Sequence, residues 1–308
     1  MRAPPARART ASAPGPGPMP GELLKALELE VARRIDGLLV GEFRSMLLGP
    51  GTELAQIREY VPGDDVRDIE WNVTARTGEP HVRVQVAERV LTTWIVLDTT
   101  ASMSFGTVER RKADVAEGVA LALGHLGTRR ANRVGVVSFG VDGLRITPPR
   151  DGRLGMVRLL SELRRDNPTD GSGPYTLAEA LRRASGILRT RSAVFVVSDL
   201  MGPRDWRKAL VRLASRHQVA VVEIGDPRER RLPDIGQTWM VDPETGRQVR
   251  LDTRDRAFRE RFQAAVTADR EEVGGMVRST GASHLVLSTS GDWLRALASF
   301  LSVKGPRR

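Results

Sequence analysis

The sequence predicts an α/β fold built on a doubly wound, mainly parallel sheet. Apolar runs such as Trp94-Ile95-Val96-Leu97 and Ala193-Val194-Phe195-Val196-Val197 carry no internal polar alternation, as expected of strands covered on both faces. Segments of helical periodicity separate such runs in regular succession, which implies crossovers between parallel strands. An aspartate, Asp98 or Asp199, closely follows each run, and open α/β sheets bind ligands beyond the carboxyl ends of their strands.

In chain order, residues 1–20 combine Arg2, Arg7 and Arg9 with alanine and frequent proline and lack the apolar stretch of a secretory signal. They read as a disordered tail, and Met19 is an alternative start to Met1. A second segment is expected over residues 21–90. Leu23, Leu24, Leu27, Leu29, Val31, Ile35 and Leu38 outline one apolar helical face, followed by a loop-rich stretch over 41–59. Pro62-Gly63 marks a turn, and Asp64 or Asp65 is placed to cap a short helix through Val66, Ile69, Trp71 and Val73. Val82, Val84 and Val86 alternate with Arg83 and Gln85, as in a half-exposed strand.

The main domain is expected over residues 91–303. After Asp98 a helix over 108–127 leads to a strand over 133–139, with 144–147 as an edge strand. Helices over 156–165 and 176–188 precede the strand at 193–197, and a helix over 206–215 precedes a strand over 219–224. Residues 239–242 and 249–251 flank Pro243-Glu244-Thr245-Gly246 and read as a hairpin. A long helix to Arg278, a strand over 284–287 and a helix over 292–301 complete the domain, and residues 304–308 are expected to fray.

Composition removes several classes of chemistry. The 308 residues include no cysteine, so disulfides, thiolate metal sites and cysteine nucleophiles are excluded, and a cytoplasmic location is expected. The four histidines, His81, His125, His217 and His284, never pair at helical zinc-ligand spacing. No apolar segment approaches the roughly 18 residues that span a bilayer. The net charge of +10 invites a nucleic-acid or anionic-surface reading, but the arginines are dispersed in pairs and aromatic content is 5%, which leaves few stacking platforms. No phosphate-loop or dinucleotide fingerprint occurs.

Asp98-Thr99-Thr100-Ala101-Ser102 offers a carboxylate and then hydroxyls at alternate positions, so Asp98, Thr100 and Ser102 can aim three oxygens at one point. Magnesium favours such donors. Thr176, opening a helix after the loop Gly171-Ser172-Gly173-Pro174-Tyr175, and Asp199, beyond its own strand, can supply further ligands from the same sheet edge. A plainer reading makes all five residues helix or turn caps.

Asp98 to Ser102, Thr176 and Asp199 together resemble the metal-ion-dependent adhesion site of von Willebrand factor type A domains. Arg58-Glu59-Tyr60-Val61-Pro62-Gly63-Asp64-Asp65-Val66-Arg67-Asp68-Ile69-Glu70-Trp71, continuing to Thr74-Ala75-Arg76, resembles the signature of bacterial DUF58 proteins. The resemblance implies a Rossmann-like type A fold with the preceding segment packed beside it. It also implies Thr100 and Ser102 as direct ligands of Mg2+ or Mn2+, Thr176 as a direct or water-mediated one, and Asp98 and Asp199 as outer-shell organisers. Companionship with a MoxR-type AAA+ ATPase is implied too, as is membership of the soluble branch of the family.

A cation held by hydroxyls and two carboxylates keeps enough charge to attract an acidic residue of a partner. No histidine, lysine or further acid is placed by the sequence as a general base, so a non-enzymatic interaction module is expected, with a basic nucleic-acid binder and a metal-dependent hydrolase as alternatives. The Arg58–Arg76 segment is read as structural, with Trp71 buried against the sheet, and alternatively as a docking surface for the ATPase.

Overall fold

The computed structural model describes residues 56–84, 92–107, 110–127, 133–140, 143–151, 175–241 and 246–302. The tail over 1–20, the expected helices over 23–39 and 156–165, and the end over 304–308 lie outside the described residues.

Strands β1 (Gln56–Glu59) and β2 (His81–Val84) form an antiparallel ribbon, so the end of the expected loop over 41–59 is a strand. Gln-Ile-Arg-Glu holds a single apolar residue, and only its pairing across more than twenty residues reveals the strand. Between the strands the expected single helix is broken in two. Asp65 accepts the Arg67 N–H and caps a 3-10 turn over Val66–Asp68, Ile69 returns to extended backbone, and α1 spans Trp71–Thr77. The isolated bridge Ile69–Val82 explains the break, because Ile69 is drawn to the ribbon. Trp71 is 69% exposed, so its expected burial against the sheet is overturned. As the first residue of α1 it projects from the helix start, and no residue of α1 is buried.

The main sheet contains β3 (Thr92–Thr99), β4 (Arg133–Gly140), β5 (Gly143–Asp151), β6 (Ala193–Ser198), β7 (Gln218–Gly225) and β10 (Ser283–Ser288), in the order β10-β7-β6-β3-β4-β5. All neighbours pair in parallel except β4 and the edge strand β5. Pro148 and Pro149 are tolerated in β5 because the register shifts there, between Val134 and Val136. Gly135 sits at that shift, where a Cβ would lie 2.9 Å from the Trp94 ring and 3.0 Å from Pro149. The remaining ribbon, β8 (Gln237–Val241) with β9 (Gln248–Asp252), is the expected hairpin; its turn lies outside the described residues.

Helices cover both faces of the main sheet, and strand alternation divides the core. Ile95, Leu97, Phe195 and Val222 point to the side of α2 (Lys112–Gly127) and α7 (Trp293–Ser302). Trp94, Val96, Val194 and Val221 point to the side of α3 (Leu177–Ile187), α4 (Trp206–Ala214) and α6 (Arg256–Ser279). A short helix, α5 (Pro227–Arg230), follows β7. The fold is thus a doubly wound α/β sheet. The chain runs from β3 to β4 on one side and later returns to β6 on the other, so β3 lies at the topological switch point and Asp98 lies at its carboxyl end.

Candidate metal centre

Asp98 is buried at the end of β3, and its oxygens are held by hydroxyls and a backbone amide. Oδ1 accepts from the Thr100 N–H at 2.9 Å and from the Thr100 hydroxyl at 2.6 Å, while Oδ2 accepts from the Ser198 hydroxyl at 2.5 Å. The chain does not continue as a strand beyond Thr99. Residues Ala101–Ser104 form a 3-10 turn, and that turn brings Thr100 Oγ1 within 3.1 Å of Ser102 Oγ. Convergence therefore comes from a tight turn and not from strand alternation. Thr100 occupies the N-cap position but makes no side-chain cap, so the plain capping reading does not describe its hydroxyl.

Asp199 lies one residue past β6 and is also buried. Its Oδ1 accepts from the Met201 N–H at 3.1 Å, it accepts a hydrogen bond from Ser102, and Oδ2 lies 2.6 Å from Lys112 Nζ. The same ammonium lies 2.5 Å from Glu229 Oε1. Leu200, with φ of 56°, is the one described non-glycine residue in the left-handed region, and this turn aims the following amide at Asp199. Thr176 behaves as the plain reading expected. It caps α3 in a reciprocal box, accepting the Glu179 N–H at 3.3 Å while Glu179 accepts the Thr176 N–H at 2.8 Å. The structure thus joins Asp98, Thr100, Ser102 and Asp199 in one hydrogen-bonded group, and it engages Thr176 with Glu179.

The surroundings drive the two carboxylates in opposite directions. Burial, and then the neighbouring Asp199 charge, push Asp98 up to about 7, against the help of Ser198 and Thr100. Burial acts on Asp199 in the same direction, yet the Lys112 ammonium and the donors around it bring Asp199 below the ordinary carboxylate range. Burial opposes the charge of Lys112, but its two carboxylate partners prevail and raise it.

These residues fit a small divalent cation. Adjacent ligands of a Mg2+ octahedron, each at about 2.1 Å, stand about 3.0 Å apart, close to the 3.1 Å between Thr100 Oγ1 and Ser102 Oγ. Among the described residues Asp98 has no cationic side-chain partner, and a cation beside it would relieve the repulsion from Asp199. Among the described residues no group of three or more histidine, cysteine, aspartate or glutamate side chains forms a denser metal cage. Hydroxyl and carboxylate oxygens of this kind suit a hard ion that shares its shell with water.

Sequence reasoning missed Lys112, Ser198 and Glu229. Ser198 immediately precedes Asp199, and Lys112 is one of four lysines in a chain whose positive charge is otherwise arginine. Within Arg110-Arg111-Lys112 it reads as part of a solvated basic run. A second carboxylate network involves Asp226, fully buried after β7, which accepts from Thr107 in the loop beyond the 3-10 turn and from Thr289 beyond β10. Burial pushes Asp226 upward, but these hydroxyls and amides take it below its ordinary value.

Comparison with known proteins places the chain. The profile described as "Protein of unknown function DUF58" matches residues 56–272. The uncharacterized protein Rv1480 of Mycobacterium tuberculosis is 38% identical over 283 residues, 91% of this chain and 88% of that protein. Among solved structures, an aerotolerance-related membrane protein from Bacteroides fragilis overlaps with a TM-score of 0.47 at 15% identity, covering 68% of this chain and 96% of its own. The SpRpn10 VWA domain overlaps at 0.39 with 13% identity, covering 71% and 100%. With a family profile spanning both the N-terminal ribbon and most of the main sheet, the chain belongs to the DUF58 family.

Proposed function

We propose that this protein is a non-enzymatic interaction module that holds Mg2+ or Mn2+ through Thr100 and Ser102, organised by Asp98 and Asp199, and offers the cation to an acidic residue of a partner. The observation that carries this reading is the pair of hydroxyls 3.1 Å apart beside a buried Asp98 that has no cationic partner among the described residues. Phe105, Tyr175 and Met201, close in the chain to Ser102, Thr176 and Asp199, are solvent-exposed, and exposed apolar and aromatic side chains suit a protein contact. Lys112, the one lysine at the site, is charged and engaged by two carboxylates, so it is not a general base. Following the family resemblance, the partner is a MoxR-type AAA+ ATPase that this protein would assist in assembling or maturing other proteins. Capture of the purified ATPase with and without chelator tests this reading. Asp98→Ala should abolish Mg2+-dependent capture, and binding indifferent to both chelator and substitution would reject it.

The exposed Trp71, Val61 and Val66 favour the docking reading of the Arg58–Arg76 segment as a second contact with the ATPase. A hydrolase remains a second reading because a buried carboxyl near 7 is placed where acid–base chemistry at neutral pH would use it. Mg2+-dependent turnover of a phosphate ester, lost in Asp98→Asn, would favour that reading over the first. Among the described residues no helix is long and apolar enough to cross a membrane.

A further inference from the structure

We propose that Lys112 is a resident counter-cation of the metal centre: it neutralises Asp199 from inside the protein and confines the divalent ion to the Asp98, Thr100 and Ser102 side. This deepens the cation reading and rests on it.

Lys112 is fully buried, a position that lysine occupies only when paired. It also opens α2, where the helix dipole disfavours a cation. Both costs are offset by Asp199 at 2.6 Å and Glu229 at 2.5 Å. The position is fixed from the metal loop itself, since the Lys112 N–H donates to the Phe105 carbonyl at 2.9 Å and Nζ lies 5.8 Å from the Phe105 ring centroid. Asp199 has both oxygens engaged, Oδ2 by the ammonium and Oδ1 by the Met201 amide. The hydrogen bonds to Asp98 come instead from neutral hydroxyls and an amide. A divalent ion entering the site therefore meets one compensated carboxylate and one uncompensated one.

Two consequences follow. The ammonium repels the incoming ion, which lowers its affinity and leaves the shell dependent on a further carboxylate from a partner. The ammonium also keeps the Asp199 half folded before metal arrives.

The test is Mn2+ binding to the full chain, followed by the electron paramagnetic resonance of free Mn2+, together with thermal unfolding in chelator and in excess Mn2+. Lys112→Met should tighten Mn2+ binding about tenfold, because one repelling charge is removed. Its melting temperature should drop in chelator and recover more on Mn2+ addition than that of the wild type. Glu229→Gln, which retains the hydrogen-bonding shape and leaves the ammonium less compensated, should weaken Mn2+ binding by about threefold to tenfold and does not depend on folding of the lysine variant. Unchanged affinity in both variants, with the wild type binding Mn2+ and Asp98→Ala not, would make Lys112 a structural brace and overturn this inference alone. Absence of Mn2+ binding by the wild type would overturn the cation reading and this inference together.

Discussion

The Thr107 hydroxyl donates to Asp226 Oδ1 at 2.5 Å across 119 residues of sequence, and so ties the loop after the 3-10 turn Ala101–Ser104 to the end of β7. Asp226 Oδ2 receives the Thr107 N–H at 2.9 Å and the Thr289 hydroxyl at 2.7 Å, which brings the end of β10 to the same carboxylate. The loop carrying Phe105 is thereby held against strands on the far side of β6.

Asp226→Ala should destabilise the protein by about 3 kcal/mol, because it strands several buried donors at once. Thr107→Val, which removes one hydroxyl, should cost about 1 kcal/mol. Urea unfolding measures both; equal effects would mean that the carboxylate does not hold the loop.

The pH dependence of stability should carry the signature of Asp98. Its folded value is raised to about 7 from 3.8, so the folded state holds a proton that the unfolded chain has lost, and the stability this contributes is full below 3.8 and declines as pH rises toward 7. In chelator the melting temperature of the wild type should therefore fall relative to that of Asp98→Asn between about pH 4 and 7. If the proposed cation is held beside an ionised Asp98, saturating Mn2+ should flatten the difference. Parallel curves for the two proteins in chelator would contradict the assignment.

Two glycine substitutions in helices should have opposite signs. A Cβ at Gly118 in α2 would lie 2.5 Å from the Trp293 ring of α7, so Gly118→Ala should cost about 1–2 kcal/mol despite the better helix propensity. At Gly275 in α6 a Cβ meets nothing within 4 Å, and Gly275→Ala should stabilise by about 0.5–1 kcal/mol. Thermal unfolding of the two variants decides whether α2 and α7 pack as closely as described.

Trp71→Ala should change stability by less than about 0.5 kcal/mol, since the ring is largely solvated. If the segment docks on the ATPase, the same variant should weaken capture about tenfold or more. Unchanged capture would return the segment to a structural role.

The repeating pattern of the main sheet was legible because β3, β6 and β7 are apolar on both faces, and burial on both faces leaves no other reading for short β-branched runs. β1 was not legible: Gln56-Ile57-Arg58-Glu59 lacks alternation and gains its form from the distant β2. Trp71 misled for a related reason, since an aromatic ring signals burial only when its helix has a buried face, and α1 has none. At the candidate site, the clustering of the oxygen donors Asp98, Thr100 and Ser102 could be read from five consecutive residues. Thr176 could equally be a cap or a ligand, and its box with Glu179 is a local motif that spacing alone also allows.

By itself the sequence determined the alternation of strands and helices, the oxygen-donor character of the strand ends and the absence of thiol chemistry, because each depends on local pattern or on composition. Only the tertiary structure decided which carboxylate carries a compensating charge. Lys112, Asp199 and Glu229 stand 87 and 117 residues apart along the chain, and a buried ion pair is a property of the space that encloses it. That pairing leaves Asp98 as the carboxylate held by hydroxyls and an amide alone among the described residues. The turn that looked like three evenly spaced ligands is, in the folded chain, two hydroxyls between one aspartate paired with an ammonium and one held by hydroxyls and an amide.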